Sequence, residues 1–223
     1  MIYSKRQMSD SYLIAMLLAI VGGFLDAYTY VARGGVFANA QTGNIVLFGL
    51  HLAEKEWISA LFYFIPILAF VLGIFTDEWI RKVALHLPNI HWRQIVLLFE
   101  VAILFIVSYL PLGGNCNLIA NILISFVCSL QVQSFRKVHD LPYASTMCTG
   151  NLRSGTELLF RFTQTKNPVE RKKALQYYGV IIFFILGAGI GALMTDHFGG
   201  LTVIFCNLPL LLVFTLLFIK NEI

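Results

Sequence analysis

The sequence predicts an all-α membrane protein: six transmembrane helices arranged as two inverted three-helix repeats, each with a re-entrant half-helix carrying Thr-Gly-Asn. Three observations lead there. The chain of 223 residues is 58% hydrophobic and only 13% charged, against about 25% charged in soluble proteins, and its mean hydropathy is +0.76. Six apolar stretches approach the roughly 20 residues that a helix needs to cross a hydrocarbon core. A polar triplet, Thr42-Gly43-Asn44, returns as Thr149-Gly150-Asn151, each time inside an otherwise apolar segment.

In chain order the expected spans are Tyr12 to Val31, Trp57 to Thr76, Gln94 to Leu112, Leu118 to Phe135, Ala174 to Thr195 and Phe198 to Ile219. Lys5 and Arg6 before the first of them resemble the start of a secretory signal, but no small-x-small cleavage pattern follows and Asp26 interrupts the apolar run, so it is kept as a span. The polar connections, Asp77 to Arg93 and Arg161 to Lys173, are too short for a soluble domain, so residues 1–223 form a single integral membrane domain. Cys116, Cys128, Cys148 and Cys206 are scattered without a CxxC, and the five histidines lack metal-ligand spacing, so no metal and no cofactor is expected. The net charge of +4 reports membrane topology and not a nucleic-acid partner.

The flanks of the triplets repeat as well. Ala60 to Gly73, "ALFYFIPILAFVLG", laid on Ala174 to Gly187, "ALQYYGVIIFFILG", gives seven identities in fourteen positions. The two repeats run from about 11 to 113 and from about 117 to 220. If the triplet segments dip into the membrane and return, each repeat has an odd number of spans and the halves are inverted; if they cross, the halves are parallel. Dipping puts thirteen of the 16 Lys and Arg on one face, leaving Arg33 and Lys55 opposite and Arg153 within the second dip, whereas crossing divides them nine to six. Positive charge collects on the cytoplasmic side, so the dipping arrangement is expected, with both termini cytoplasmic.

Nonhelical backbone survives at membrane depth only where protein buries it or a wet cavity receives it. Val36 to Gln41 and Tyr143 to Cys148 are the expected nonhelical runs, each leading into a short helix. Thr42 and Thr149 suit N-caps, Gly43 and Gly150 permit close backbone approach, and Asn44 and Asn151 offer amides at the same point. Two converging helix N-termini, each worth roughly half a positive charge, make a site for an anion or polar group.

Asp26 stands deep in the first span, where a charge must pair, protonate or meet water. The expected site comprises Asp26, Asn39, Thr42, Gly43, Asn44, Gln133, Thr149, Gly150, Asn151 and Arg153. Gln133 occupies the position matching Asp26 and ends a stripe, Asn121, Ser125, Ser129, Gln133, which either lines a pathway or bonds between packed helices. Arg153 either joins the anion site or pairs with Glu157 at i+4. Glu100 reads as a packing partner, and Gly187 with Gly191 as a helix-packing GxxxG.

Gly23 to Ala27, "GFLDA", followed by Val36 to Asn44, "VFANAQTGN", resembles the YoaK family of bacterial inner-membrane proteins, which carries a domain-of-unknown-function label. "CTGNLRSG", Cys148 to Gly155, fits the same pattern, and the resemblance covers nearly the whole chain. It implies a multi-pass protein of the bacterial plasma (inner) membrane and supplies no substrate. The functional expectation is a small-solute transporter or channel in the lipid bilayer, taking a small polar or anionic solute, with homo-oligomers possible. A membrane-embedded enzyme, or a non-transporting assembly or sensor protein, is the alternative. No nucleophile, metal cluster or acid pair appears at enzymatic spacing, so an enzyme is not expected.

Overall fold

The computed structural model describes residues 8–84, 91–138 and 141–218. Its helices are α1 (Tyr12–Ala32), α2 (Gln41–Ala53), α3 (Trp57–Ala84), α4 (Trp92–Ser108), α5 (Gly114–Ser134), α6 (Cys148–Thr165), α7 (Pro168–Phe198) and α8 (Asn207–Leu216). A 3-10 segment, Gly199–Cys206, joins α7 to α8. Two short strands, β1 (Lys137–Val138) and β2 (Leu141–Pro142), pair antiparallel with Lys137 opposite Pro142, a small departure from an all-helical chain.

Four helical runs among the described residues are long and apolar enough to cross a membrane: Tyr12–Ala32, Trp57–Ala84, Gly114–Ser134 and Pro168–Leu216. The last run contains the fifth expected span and the sixth as far as Leu216, Ile219 lying outside the described residues, and α4, with 17 residues, is shorter than these runs. Both polar connections shrink. α3 continues to Ala84, and α6 and α7 extend through most of Arg161 to Lys173, because Arg81, Lys82 and the Glu170-to-Lys173 run are good helix formers whose charges reach solvent from a helix surface.

Local chemistry sets the boundaries. Ser11 caps α1 by accepting from the Ile14 amide at 3.4 Å. After Ala32 the chain turns through Gly34 and Gly35, at φ +93° and +74°, values that side chains resist, and this releases the nonhelical run toward α2. Asn167 caps α7, with Pro168 at its first position. The α2–α3 and α6–α7 turns each place a lysine in left-handed backbone, Lys55 at φ +61° and Lys166 at φ +55°.

The helices pack in reciprocal pairs. α1 makes its most extensive contact with α7, α5 packs along α3, and α2 and α6, of 13 and 18 residues, lie on α3 and α7 respectively. Small residues permit these approaches. A Cβ on Gly187 would strike the Ile20 carbonyl, and one on Gly23 would strike the Phe184 carbonyl. One on Gly191 would come within 2.8 Å of the Phe24 carbonyl, so the GxxxG pair is the seam with α1. Gly73, which aligns with Gly187, sits equally tightly against Ser129 of α5. The main core gathers Leu18, Leu25 and Tyr28 with Leu97, Leu104, Ile124 and Leu210.

Arg33, expected as an external loop charge, is fully buried. Its guanidinium donates to the carbonyls of Pro111 at 2.7 Å, Leu110 at 2.9 Å and Val107 at 3.3 Å, and to the Tyr28 hydroxyl at 2.8 Å. It therefore neutralises the negative end of α4 from inside, and Tyr28 passes the link to the Gly200 carbonyl at 2.9 Å.

Candidate functional site

A cavity of about 720 Å³ lies where the two nonhelical runs meet. The first half supplies Asp26, Phe37, Asn39, Ala40, Gln41 and Thr42 to its wall. The second supplies residues 142–144, 146–151 and 154, and α7 adds Phe184. The first turns of both α2 and α6 border it, and neither helix has a side-chain N-cap.

Each helix begins earlier than expected, at Gln41 and at Cys148, so the N-caps are Ala40 and Met147 and not Thr42 and Thr149. The reason lies in the asparagines. Asn44 donates to the Phe37 carbonyl at 3.5 Å, and Asn151 donates to the Ala144 carbonyl at 2.7 Å while accepting from the Ala144 amide at 3.2 Å. In both halves the triplet's asparagine ties the first helical turn to the residue seven positions upstream. Each nonhelical run is thereby folded back onto its own helix, and the threonines are left exposed on the cavity wall. Gly43 and Gly150 do not meet another backbone as expected: a Cβ at either would find open space within 4 Å.

Asp26 is 7% exposed and accepts from the Asn39 amide at 3.0 Å. Asn39 in turn donates to the Gly22 carbonyl at 3.0 Å, which locks the run against α1. Among the described residues, Asp26 is the sole carboxylate in the cavity wall, and no Lys, Arg or His joins it there. The fixed positive polarity that these residues bring is that of the two helix first turns.

The structure thus brings Asp26, Asn39, Thr42, Thr149, Gly150 and Asn151 to one cavity and places the other expected residues outside its wall. Gly43 and Asn44 follow Thr42 in the first turn of α2 and do not line the cavity. Gln133 donates to Glu78 at 2.5 Å on an exposed surface. Arg153 is exposed on the outer side of α6, in a groove with Leu152, Thr156 and Phe160. Glu157 pairs with Arg161 at 2.5 Å and not with Arg153, the acid-first order being the favourable one on a helix.

The α5 stripe divides. Asn121 donates to the Arg33 carbonyl at 2.9 Å and Ser125 to the Ala38 carbonyl at 2.7 Å, pinning the first nonhelical run, while Ser129 bonds within its own helix. Gln131 pins the second run through the Ser145 hydroxyl at 2.8 Å and α1 through the Leu18 carbonyl at 3.2 Å. Sequence reading missed Gln131 because it lies off the fourfold spacing. It also missed Thr146, Cys148 and Ser154, whose only signal was nearness to the triplet.

A family model described as "Protein of unknown function (DUF1275)" matches residues 14–217. The chain belongs to this family. It is 28% identical over 196 residues to the UPF0700 transmembrane protein YoaK of Bacillus subtilis (strain 168), covering 82% of this chain and 83% of that one. No solved structure matches. Membership accounts for the helical membrane architecture and leaves the cavity's occupant to be argued from its chemistry.

Proposed function

We propose that this member of the DUF1275 family is a transporter or channel for a small polar solute, held in the cavity between the first turns of α2 and α6. The observation that carries this reading is that both first turns and Asp26 wall the same space of about 720 Å³. A cavity of that size suits a small organic solute. Its polarity is divided: Asp26 invites a cationic or hydrogen-bond-donating group, and the helix first turns invite an anionic or accepting one. A solute carrying both kinds of group uses the whole wall.

An inverted duplication, with re-entrant α2 and α6, is the arrangement we favour. It draws support from the reciprocal α1–α7 and α5–α3 pairings, the matched left-handed lysines and the matched asparagine ties. Inverted repeats with broken helices around a central site are a recurring plan of secondary transporters. Six spans, a bacterial inner membrane and cytoplasmic termini belong to the same proposal.

Thermal-shift screening of the purified protein against amino acids, small organic acids, amines and sugars tests it. A stabilising solute is expected, and its effect should shrink in Asp26→Asn and in Thr149→Val. Stabilisation that survives both substitutions unchanged would place the solute elsewhere.

A further inference from the structure

At the end of α2 that points away from the cavity, three side chains of metal-ligating type converge. His51 Nδ1 lies 2.9 Å from a carboxylate oxygen of Glu56 and 3.5 Å from one of Glu54, and one ligand atom from each of the three residues falls within 4.8 Å of the others. Their spacing, i, i+3 and i+5, puts only the first two on one helix face, so the sequence carries no metal signature here. The turn supplies the third. Lys55, in left-handed backbone at φ +61°, ends the helix, and the Glu56 amide donates back to the His51 carbonyl at 2.9 Å, which returns Glu56 to the side of the histidine. The imidazole is held from α3 as well: it stacks on Tyr63 with centroids 5.3 Å apart and planes 5° from parallel, and its side chain is 22% exposed. Both glutamates are more than half exposed, so their carboxylates are open to ions in solution.

The turn itself does not call for these residues. The second half builds the matching left-handed turn at Lys166 with Phe162, Thr165 and Asn167 in the places of His51, Glu54 and Glu56. Two carboxylates on one imidazole nitrogen are also more than a simple ion pair uses, since Nδ1 carries at most one proton and the second acid then stands beside a like charge. A divalent cation satisfies all three at once. Ligand atoms about 2.0–2.1 Å from a tetrahedral zinc ion sit about 3.3 Å from one another, and the two distances from Nδ1, 2.9 and 3.5 Å, lie on either side of that value. Rotation of the exposed glutamates closes the remaining oxygen-to-oxygen gap. The negative end of the α2 dipole adds to the attraction. One imidazole with two carboxylates suits a first-row transition ion better than Ca2+ or Mg2+, which take oxygen ligands.

We propose that His51, Glu54 and Glu56 form a binding site for a first-row divalent metal ion that clamps the turn between α2 and α3. His51 Nδ1 and one oxygen of each glutamate are the protein ligands, and water completes the shell. A proton carried on Nδ1 moves to Nε2 or to solvent as the metal takes its lone pair. The site goes beyond the cavity reading and does not require it.

Calorimetric titration of Zn2+ into the full-length, tag-free protein in detergent tests this, with Cys116 and Cys148, the two cysteines that are only partly buried, replaced by serine so that no accessible thiol competes. One ion per chain is expected. His51→Ala should weaken binding by more than about a hundredfold, the upper end of what losing even an outer partner of a ligand costs, and Glu56→Gln by about tenfold or more. Should His51→Ala fail to fold, His51→Gln takes its place. Glu157→Gln, which removes an exposed acid paired with Arg161, should leave binding unchanged. Ca2+ should compete poorly, and Co2+ should give a visible absorption band that is lost in the His51 variant. Absence of Zn2+ binding, Zn2+ binding that persists in the His51 variant, or Ca2+ binding as tight as that of Zn2+ would overturn the proposal and leave the three side chains as a surface ion-pair cluster.

Discussion

At the scale of single residues, the two triplet asparagines hold the nonhelical runs in place with unequal strength. Asn151 makes two bonds to Ala144, at 2.7 and 3.2 Å, whereas Asn44 reaches Phe37 at 3.5 Å and shares its amide with the Gln41 side chain at 3.1 Å. Removing Asn151 strands the half-buried amide and carbonyl of Ala144, at about 1–3 kcal/mol, against about 1 kcal/mol for a single neutral bond. Asn151→Ala should therefore lower the melting temperature in detergent more than Asn44→Ala does, as read by tryptophan fluorescence. Equal losses would mean that the Ala144 tie is not what holds the second run. Sequence reading identified both asparagines but not the ties they make, since a spacing shows that two residues recur but not that each folds back seven positions. Arg33 shows the same limit: its charge was legible, but its burial depends on carbonyls from the end of α4, far along the chain.

Among elements, the seam between α1 and α7 and the start of α4 make separate predictions. Gly187 and Gly191 were legible as a packing pair, and what they pack against, the backbone at Ile20 and Phe24, became visible only in three dimensions. Gly187→Val should force α7 away from α1 and cost about 1–3 kcal/mol, whereas Gly189→Val, on the open side of α7, should be close to neutral. Similar melting temperatures for the two variants would dismiss the seam. α4 begins with His91, whose ring accepts from the Arg93 amide at 3.2 Å while its own amide donates to Gln94 at 2.9 Å. Burial, and next the Arg93 charge, hold the imidazole below its ordinary range, with Asp10 opposing. The neutral ring is the capping form. Its contribution is therefore complete above the unfolded-state pKa of about 6.5 and is lost as pH falls through the lowered folded value. Wild type should lose more thermal stability on acidification than His91→Asn, which keeps an N-cap acceptor and does not titrate. Parallel losses in the two proteins would assign the acid sensitivity to other groups.

For the whole molecule, the proposed duplication is tested by the sense in which its halves are placed. Apolar stretches and the repeated triplet made the helical order readable from sequence, with Tyr12 and Trp57 correct as helix starts. Helix ends in the polar connections were not readable, because charged helix formers look like loops until a helix surface is there to carry them. The structure adds corresponding landmarks in the two halves, the turns at Lys55 and at Lys166, each in left-handed backbone and each following the helix whose first turn borders the cavity. If the halves are inverted, these turns face opposite sides of the membrane. Glu54 and Gln164 are exposed beside them and suit single-cysteine labelling in a background where Cys116, Cys128, Cys148 and Cys206 are replaced. With a membrane-impermeant thiol reagent on intact cells, Glu54→Cys should react and Gln164→Cys should react only after the cells are opened. Positive charge supports that assignment, since the second turn is followed by Arg171, Lys172 and Lys173 while the first has Lys55 between Glu54 and Glu56. Labelling of both positions from the same side would make the repeats parallel. The first turns of α2 and α6 would then enter the cavity from one face, and opposed half-helices could no longer account for how a solute reaches Asp26 from either side.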